Sequence, residues 1–181
     1  MQDLASHAPD FDTAPDVAQV FRDHSSRVLA AAYRVTGRAE DAEDVLQTVF
    51  MRLVRRAGGV RLEGNPAAYL HRAAINAALD LVRSRQAART TPLDDRLPAT
   101  PEREGAERKL AASELRAEVR KALGQLSPRA AEIFVLRYFE GYDNHEIAGM
   151  LGSSRSTVNV ILHRARQRVR EAIGPHAGER P

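Results

Sequence analysis

The sequence predicts an all-α protein of two small helical domains joined by a flexible linker, the C-terminal one a helix-turn-helix. Two observations carry this prediction. Apolar residues recur at helical spacing through most of the 181 residues, whereas the alternation typical of β-strands is nearly absent. In addition, residues 86–106 contain three prolines, mixed charge and no apolar period, as expected of a linker between folded units.

Three helices are predicted before the linker. The first follows a cap at Thr13–Pro15 and ends at Gly37, and the second extends from about Ala39 to Arg56. The third begins at Asn65-Pro66, where proline takes the first helical position, and continues to about Arg85. Each of these helices carries an apolar stripe, so together they can enclose one core.

Four helices are predicted after the linker, the first of them near Glu107–Leu123. Ser127-Pro128 caps the next, and Asp143 begins a capping box with its Asp-x-x-Glu spacing. Gly152 closes that short helix and Ser154 caps a longer basic one. A short helix, a tight turn and a longer basic helix are the outline of a helix-turn-helix.

These elements define the predicted organisation of the chain. A disordered tail at 1–15 precedes a first domain at 16–85, the linker at 86–106, a second domain at 107–174 and a tail at 175–181.

Charge is segregated along the chain. Residues 1–50 carry 9 acidic and 4 basic groups, whereas residues 51–89 carry 8 basic and 2 acidic groups and residues 153–181 carry 6 and 2. Two separated basic blocks favour two contacts with a polyanion. Arginine supplies 25 of the 27 cations, which suits bidentate phosphate contact.

Composition excludes several classes of protein. With no cysteine, the chain has no disulfide, thiolate metal site or thiol nucleophile. No apolar run approaches the roughly 20 residues that span a bilayer, and the acidic N-terminus lacks a signal-peptide pattern. We therefore expect a cytoplasmic protein without membrane insertion. No His lies at ligand spacing beside the acidic cluster at 40–44, so we expect no catalytic residue, metal or cofactor.

Three motifs follow one another in the sequence. Gly37–Phe50 has an Asp-Ala-Glu-Asp core followed by Gln and Phe, Pro66–Arg83 carries Tyr-Leu, Asn and Leu-Asp at set spacing, and Leu126–Arg166 contains the predicted helix-turn-helix. In this order they resemble the bacterial RNA polymerase sigma factors, specifically the extracytoplasmic-function (ECF) group of the sigma-70 family. The resemblance covers about residues 16–174. It implies a non-enzymatic initiation factor that binds the polymerase core and recognises promoters.

The resemblance implies that the acidic helix docks on the polymerase. The expected contacts are Glu40, Asp41, Glu43, Asp44 and Gln47, of which Asp41 and Asp44 should face solvent. They would meet the clamp helices of the β′ subunit, and the β flap is a second expected partner. Carboxylates in the first turn of a helix also interact favourably with the positive end of the helix dipole, which explains part of such a cluster on any protein. The apolar residues of this helix are expected in the core: Val45, Leu46, Val49 and Phe50.

The resemblance assigns the third helix to opening the −10 element. Unpairing bases costs a few kcal/mol that protein contacts must offset, and a cationic track must hold the single strand. The expected −10 contacts are Arg61, Arg72, Asn76, Asp80 and Arg83.

Other residues of this region qualify that assignment. Tyr69 opens the apolar stripe and is expected in the core, whereas His71 is available to stack on a base. This region is poor in aromatic residues expected at the surface, and Ile75 stands where the family often has a cation. Both departures predict weak melting and a need for a near-ideal −10 element. The loop at 57–65 is expected to carry base-selective contacts.

The last helix is expected to lie in the major groove of the −35 element. Arginine can read guanine and asparagine can read adenine by paired hydrogen bonds, while other arginines neutralise phosphates. Val158, Leu162 and Ala165 should face the core. The expected −35 contacts are Arg155, Ser156, Asn159, His163, Arg164 and Arg166.

One departure from the family leaves the −35 assignment open. Asn159, Val160 and Ile161 fill positions around which the family commonly has Lys and Arg, and the last two should lie near the outer face. Three interpretations compete: apolar contact with thymine methyls, a protein partner that covers this face, or weak −35 binding.

Two other functions compete with an initiation factor. A sigma-like decoy would bind an anti-sigma factor, itself an expected partner of a true sigma factor, without starting transcription. A dimeric helix-turn-helix regulator would use the N-terminal helices to dimerise, although it would not need the acidic helix.

Overall fold

A computed structural model describes residues 17–56, 66–89 and 105–174. These residues form seven α-helices and no strand, which confirms the predicted all-α class. The helices are α1 (Val17–Thr36), α2 (Ala39–Arg56), α3 (Pro66–Arg89), α4 (Gly105–Gln125), α5 (Pro128–Tyr138), α6 (Asn144–Met150) and α7 (Arg155–Ile173). None of these helices is long and apolar enough to cross a bilayer.

Helices α1, α2 and α3 pack pairwise around one apolar centre. Val28, Leu70 and Ile75 have almost no exposed surface there. Gly37 ends α1 with a φ of 72° and donates its N–H to Tyr33 O at 2.7 Å, a helix stop that glycine adopts without strain. The predicted ends of α2, Ala39 and Arg56, match the structure.

The caps predicted for the second half are present. Ser127 accepts a hydrogen bond from Ala130 N at the start of α5, and Ser154 accepts one from Thr157 N at the start of α7. Asp143 and Glu146 complete the capping box of α6. Each cap satisfies backbone N–H groups that a helix leaves free in its first turn. Ile133, Leu136, Ile147 and Val158 among others fill the space between α5, α6 and α7.

The predicted linker begins too early. Helix α3 continues to Arg89, and the amide of Gln86 donates to Arg120 O at 3.2 Å and Lys121 O at 3.0 Å, which fixes this end of α3 against α4. The sequence from 84 to 89 contains no helix breaker, and its residues tolerate a helix. Helix α4 begins at Gly105, two residues before the prediction. The expected tails and the linker from 90 to 104 lie outside the described residues.

Helices from both halves contact each other directly. Helix α3 packs against α4 and α5, and the buried apolar residues of the two halves form one continuous cluster. The face of α3 that carries predicted nucleic-acid contacts is therefore next to α5.

Candidate nucleic-acid and polymerase interface

The acidic start of α2 divides into two sides. Glu40, Glu43, Asp44 and Gln47 are exposed, as polymerase contacts require. Asp41 is only 3% exposed and forms an ion pair with Arg85 of α3. The expectation that Asp41 faces solvent is therefore wrong: its side chain points inward from α2, where the carboxylate ties α2 to α3 and is itself neutralised, as a buried charge must be.

An apolar groove of about 510 Å³ lies beside this acidic side, between α1 and α2. Phe21 and Phe50, which both line this groove, meet edge to face with ring centroids 4.8 Å apart. Met51 and Val54 are 46% and 56% exposed along its wall, and Gln47 borders it. Val45, Val49 and Phe50 are buried as expected, whereas Leu46 is half-buried and lines the groove.

The predicted −10 residues of α3 do not all face solvent. Arg72 donates from Nε to Glu132 Oε1 at 3.0 Å and from Nη1 to Met150 O at 2.9 Å. Asn76 donates from Nδ2 to the same Glu132 Oε1 at 3.2 Å. Both side chains thus contact the second half of the chain.

The remaining −10 residues are placed differently. Arg83 pairs with Asp80 at 3.1 Å one turn away on α3, where Asp80 is exposed. Arg61 and the loop at 57–65 lie outside the described residues.

Three expectations for α3 are corrected. Tyr69 is 42% exposed rather than in the core, because the buried stripe begins at Leu70. His71 is 2% exposed and so is unavailable for stacking on a base in this arrangement. Ile75 has no exposed surface, so it fills the core and does not replace a cation on the nucleic-acid face. The argument for weak melting that rested on Ile75 is lost with it.

A second polar cluster surrounds Glu140, just after α5. Arg34 of α1 binds both carboxylate oxygens, at 2.7 Å and 2.5 Å, and His71 Nε2 lies 2.8 Å from Oε2. Burial raises the pKa of Glu140, but the hydrogen bonds from His71 and Arg34 outweigh it and lower the pKa to about 2. Glu140 is therefore ionised at neutral pH and joins α1, α3 and α5.

The reading face of α7 is open. All six predicted −35 residues are exposed: Arg155, Ser156, Asn159, His163, Arg164 and Arg166. The opposite side packs inward as expected, through Val158, Leu162 and Ala165.

Two neighbouring residues refine this face. Val160 is 51% exposed as expected, whereas Ile161 is half-buried and packs against the core. Asn144, at the start of α6, donates its amide to Asn159 Oδ1 at 2.5 Å. Sequence reasoning missed Asn144, Arg34, Glu132 and Glu140, because each acts through a partner distant in the chain.

Comparisons with known proteins identify two family regions in the chain. The family model Sigma-70 region 2 matches residues 20–88, and Sigma-70, region 4 matches residues 116–169. The chain is 32% identical over 171 residues to the ECF RNA polymerase sigma factor SigM of Mycobacterium tuberculosis, covering 94% of this chain and 83% of that protein. The chain belongs to the ECF sigma factor family. The region 2 match spans α2 and nearly all of α1 and α3. The region 4 match spans the last ten residues of α4, all of α5 and α6, and most of α7.

A second relative matches over a similar length of the chain. The ECF RNA polymerase sigma factor SigE of Mycolicibacterium smegmatis is 35% identical over 168 residues, and the alignment covers 91% of this chain and 64% of that protein. Membership of the ECF sigma factor family confirms the predicted class, a promoter-recognition transcription initiation factor.

A solved structure shows the same fold. The structure of CnrH in complex with the cytosolic domain of CnrY matches with a TM-score of 0.50 at 24% identity, over 84% of each chain.

Proposed function

We propose that this chain binds the RNA polymerase core and directs it to promoters, opening the −10 element with α3 and reading the −35 element with α7. One observation supports this most directly: α2 and α7 each expose a charged face, and the sign of each charge is the one expected for binding the polymerase and DNA respectively. The face of α2 is acidic and that of α7 is basic. They lie in the family regions 2 and 4 respectively.

The proposed docking surface combines charge with apolar area. Exposed Glu40, Glu43 and Asp44 favour a basic partner surface, the clamp helices of β′, and Gln47 adds a hydrogen-bonding group. The adjacent groove supplies exposed apolar side chains at Met51 and Val54. Specific interfaces commonly have an apolar centre with a polar rim. The β flap would be the second polymerase contact, through region 4.

The proposed promoter contacts lie in the two basic blocks of the sequence, residues 51–89 and 153–181. Arg72, Asn76 and Arg83 would hold the single strand on α3, with Arg61 and Asp80 beside them. On α7, Arg155, Ser156, Asn159 and His163 would meet base edges, and Arg164 and Arg166 would neutralise phosphates. The two helical units, residues 17–89 and 105–174, would separate on DNA because the two promoter elements are apart along the duplex.

The remaining properties follow from membership of the family. The factor would work in the cytoplasm, catalyse no reaction and need no cofactor. An anti-sigma factor would be its third partner besides the polymerase core and promoter DNA.

Co-purification tests docking. Wild-type protein should be retained by polymerase core, and Asp44→Arg should weaken retention by about tenfold or more, because it places like charge against the partner. The matched control is Glu114→Arg on α4, where the carboxylate is also exposed. Equal retention of all three proteins would show that α2 is not the docking helix.

A decoy is the second candidate, favoured by one observation. Val160 exposes 51% of its surface on the reading helix, where a protein partner could cover it. Run-off transcription separates the two functions, because a decoy retained by core would start no transcript.

A further inference from the structure

The polar groups of α3 that would hold the −10 strand are already bound within the molecule. Arg72 uses Nε for Glu132 and Nη1 for Met150 O, and Asn76 uses its amide N–H for the same carboxylate. Glu132 is 60 residues from Arg72 in sequence and belongs to the other family region. The contact is therefore made only when the two halves are together.

The carboxylates of α5 depend on this arrangement. The side chains of Glu132 and Glu140 are 6% and 5% exposed. A buried carboxylate is stable only when cations and hydrogen-bond donors surround it. Arg72, Asn76 and Arg129 serve Glu132, whereas Arg34 and His71 serve Glu140. Three of these five donors, Arg72, Asn76 and His71, lie on α3.

A carboxylate and a phosphate present similar chemistry to these donors. Arginine binds either anion through a planar fork of N–H groups, and an asparagine amide that donates to Glu132 cannot use the same N–H for a base edge. If Arg72 and Asn76 contact the −10 strand, the oxygen of Glu132 that accepts from both of them occupies the position of a nucleic-acid acceptor. No other described carboxylate takes both groups.

We propose that α5 is a built-in inhibitor of the −10 face, in which Glu132 imitates the nucleic acid and Glu140 holds the two halves closed. The proposal rests on the function proposed above, because it needs Arg72 and Asn76 to be DNA contacts. The closed arrangement, defined by the contacts of Glu132 and Glu140 with α1 and α3, leaves the −35 face of α7 exposed. The free factor would thus be able to touch duplex DNA before it can hold an opened strand.

The effect on DNA binding follows from competition. A ligand that binds only the open form has its apparent affinity reduced by the fraction of molecules that are open. Polymerase would relieve the inhibition only by binding the open form more tightly than the closed one. Weakening the α5 contacts should therefore raise the affinity for single strands without adding any new contact.

The first measurement is the distance between the halves in the full chain. Because the protein has no cysteine, Ser26→Cys on α1 and Gln167→Cys on α7, both at exposed positions, allow two fluorescent labels to be attached without removing others. In this labelled background, Glu132→Gln and Arg34→Ala should each lower the energy-transfer efficiency. The matched control, Glu114→Gln, removes a carboxylate charge from an exposed position of α4 and should leave it unchanged. Helix content measured by circular dichroism identifies any variant that has unfolded. Arg34→Ala changes a residue of α1, so it tests the contact with Glu140 without any substitution in α5.

The second measurement is binding of the single-stranded oligonucleotide dT20 at fixed salt. Glu132→Gln should bind about fivefold more tightly than wild type or more, because a larger fraction is open. Adding Arg72→Ala to Glu132→Gln should cancel that gain. Unchanged energy transfer in folded Glu132→Gln and Arg34→Ala would overturn the inhibitor proposal. If energy transfer falls but Arg72→Ala does not affect dT20 binding by the opened protein, the −10 assignment of Arg72 fails instead, and with it the claim that Glu132 imitates DNA.

Discussion

The nucleic-acid faces of α3 and α7 differ in how the fold treats them. On α7 the six expected −35 residues are exposed, and none of them belongs to the buried side of the helix, which carries Val158, Leu162 and Ala165. On α3, Arg72 and Asn76 are half-buried and hydrogen-bonded to Glu132. A basic residue on a predicted DNA-binding helix therefore does not by itself indicate an available contact. Its availability depends on the arrangement of the two halves.

The largest expected effect is a loss of folding stability, and it compares a buried position of α3 with a half-buried position of α7. Ile75→Arg should destabilise the protein by about 4 kcal/mol or more, since it buries an unpaired charge. Ile161→Arg should cost about 1 kcal/mol or less, because this half-buried side chain can carry its charge out to water. Urea denaturation followed by circular dichroism measures both. A folded Ile75→Arg protein of wild-type stability would show that position 75 lies on the surface after all.

The next prediction concerns sequence preference on duplex DNA. Asn159→Ala should change which −35 sequence is preferred, by about 1–3 kcal/mol between best and altered sites. Asn76→Ala, the same change on the masked face, should leave the preference of the free protein untouched. Competition binding against a set of duplexes checks both. If Asn159→Ala does not alter the sequence preference, this face of α7 is a protein-binding surface instead. In that case Asn144→Ala, which removes the hydrogen-bond donor to Asn159, should not alter the sequence preference either.

Salt dependence gives a smaller contrast. Arg166→Ala should weaken binding to all duplexes alike and reduce the slope of log affinity against log salt by roughly one unit. Arg72→Ala should leave that slope unchanged, because the free protein holds Arg72 on Glu132. Fluorescence anisotropy at several salt concentrations measures the slopes. A lower slope for Arg72→Ala would mean that α3 already touches duplex DNA in the free protein.

The smallest expected effect is the pH dependence of the closed arrangement. The pKa of Glu140 falls from an ordinary 4.5 to about 2 in the folded protein, where Arg34 and His71 face it. A lowered pKa adds stability that is complete above about pH 5 and is lost as the pH falls through 4.5 towards 2. The stability difference between wild type and Glu140→Gln should therefore be larger at pH 5 than at pH 3, and should shrink as the pH falls below 4.5. A difference that stays constant down to pH 3 would contradict the ion-pair account.

Local features of the fold were predictable and tertiary ones were not. Gly37, Ser127, Asp143 and Ser154 act within one helical turn, so their sequence context is enough to place a helix end. The end of α3 was set too early because Gln86 is held by carbonyls of α4, 34 and 35 residues away.

The candidate site shows the same limit. The sequence identified the acidic helix and the basic faces, but the orientation of Asp41 depends on how α2 rotates against α3. Likewise, the pairing of Arg72 with Glu132 requires two distant segments to meet. The excess of acidic residues at 127–152 was a visible signal, yet it did not say which cations those residues would bind.

Transcription of sheared genomic DNA from the source organism tests the central claim most directly. Polymerase core is incubated with and without this protein, and the 5′ ends of the new RNAs are sequenced. The account predicts a set of new 5′ ends that share one −10 and one −35 sequence and that disappear with Asp44→Arg. If the protein co-purifies with core but produces no new 5′ ends, it is a decoy and not an initiation factor.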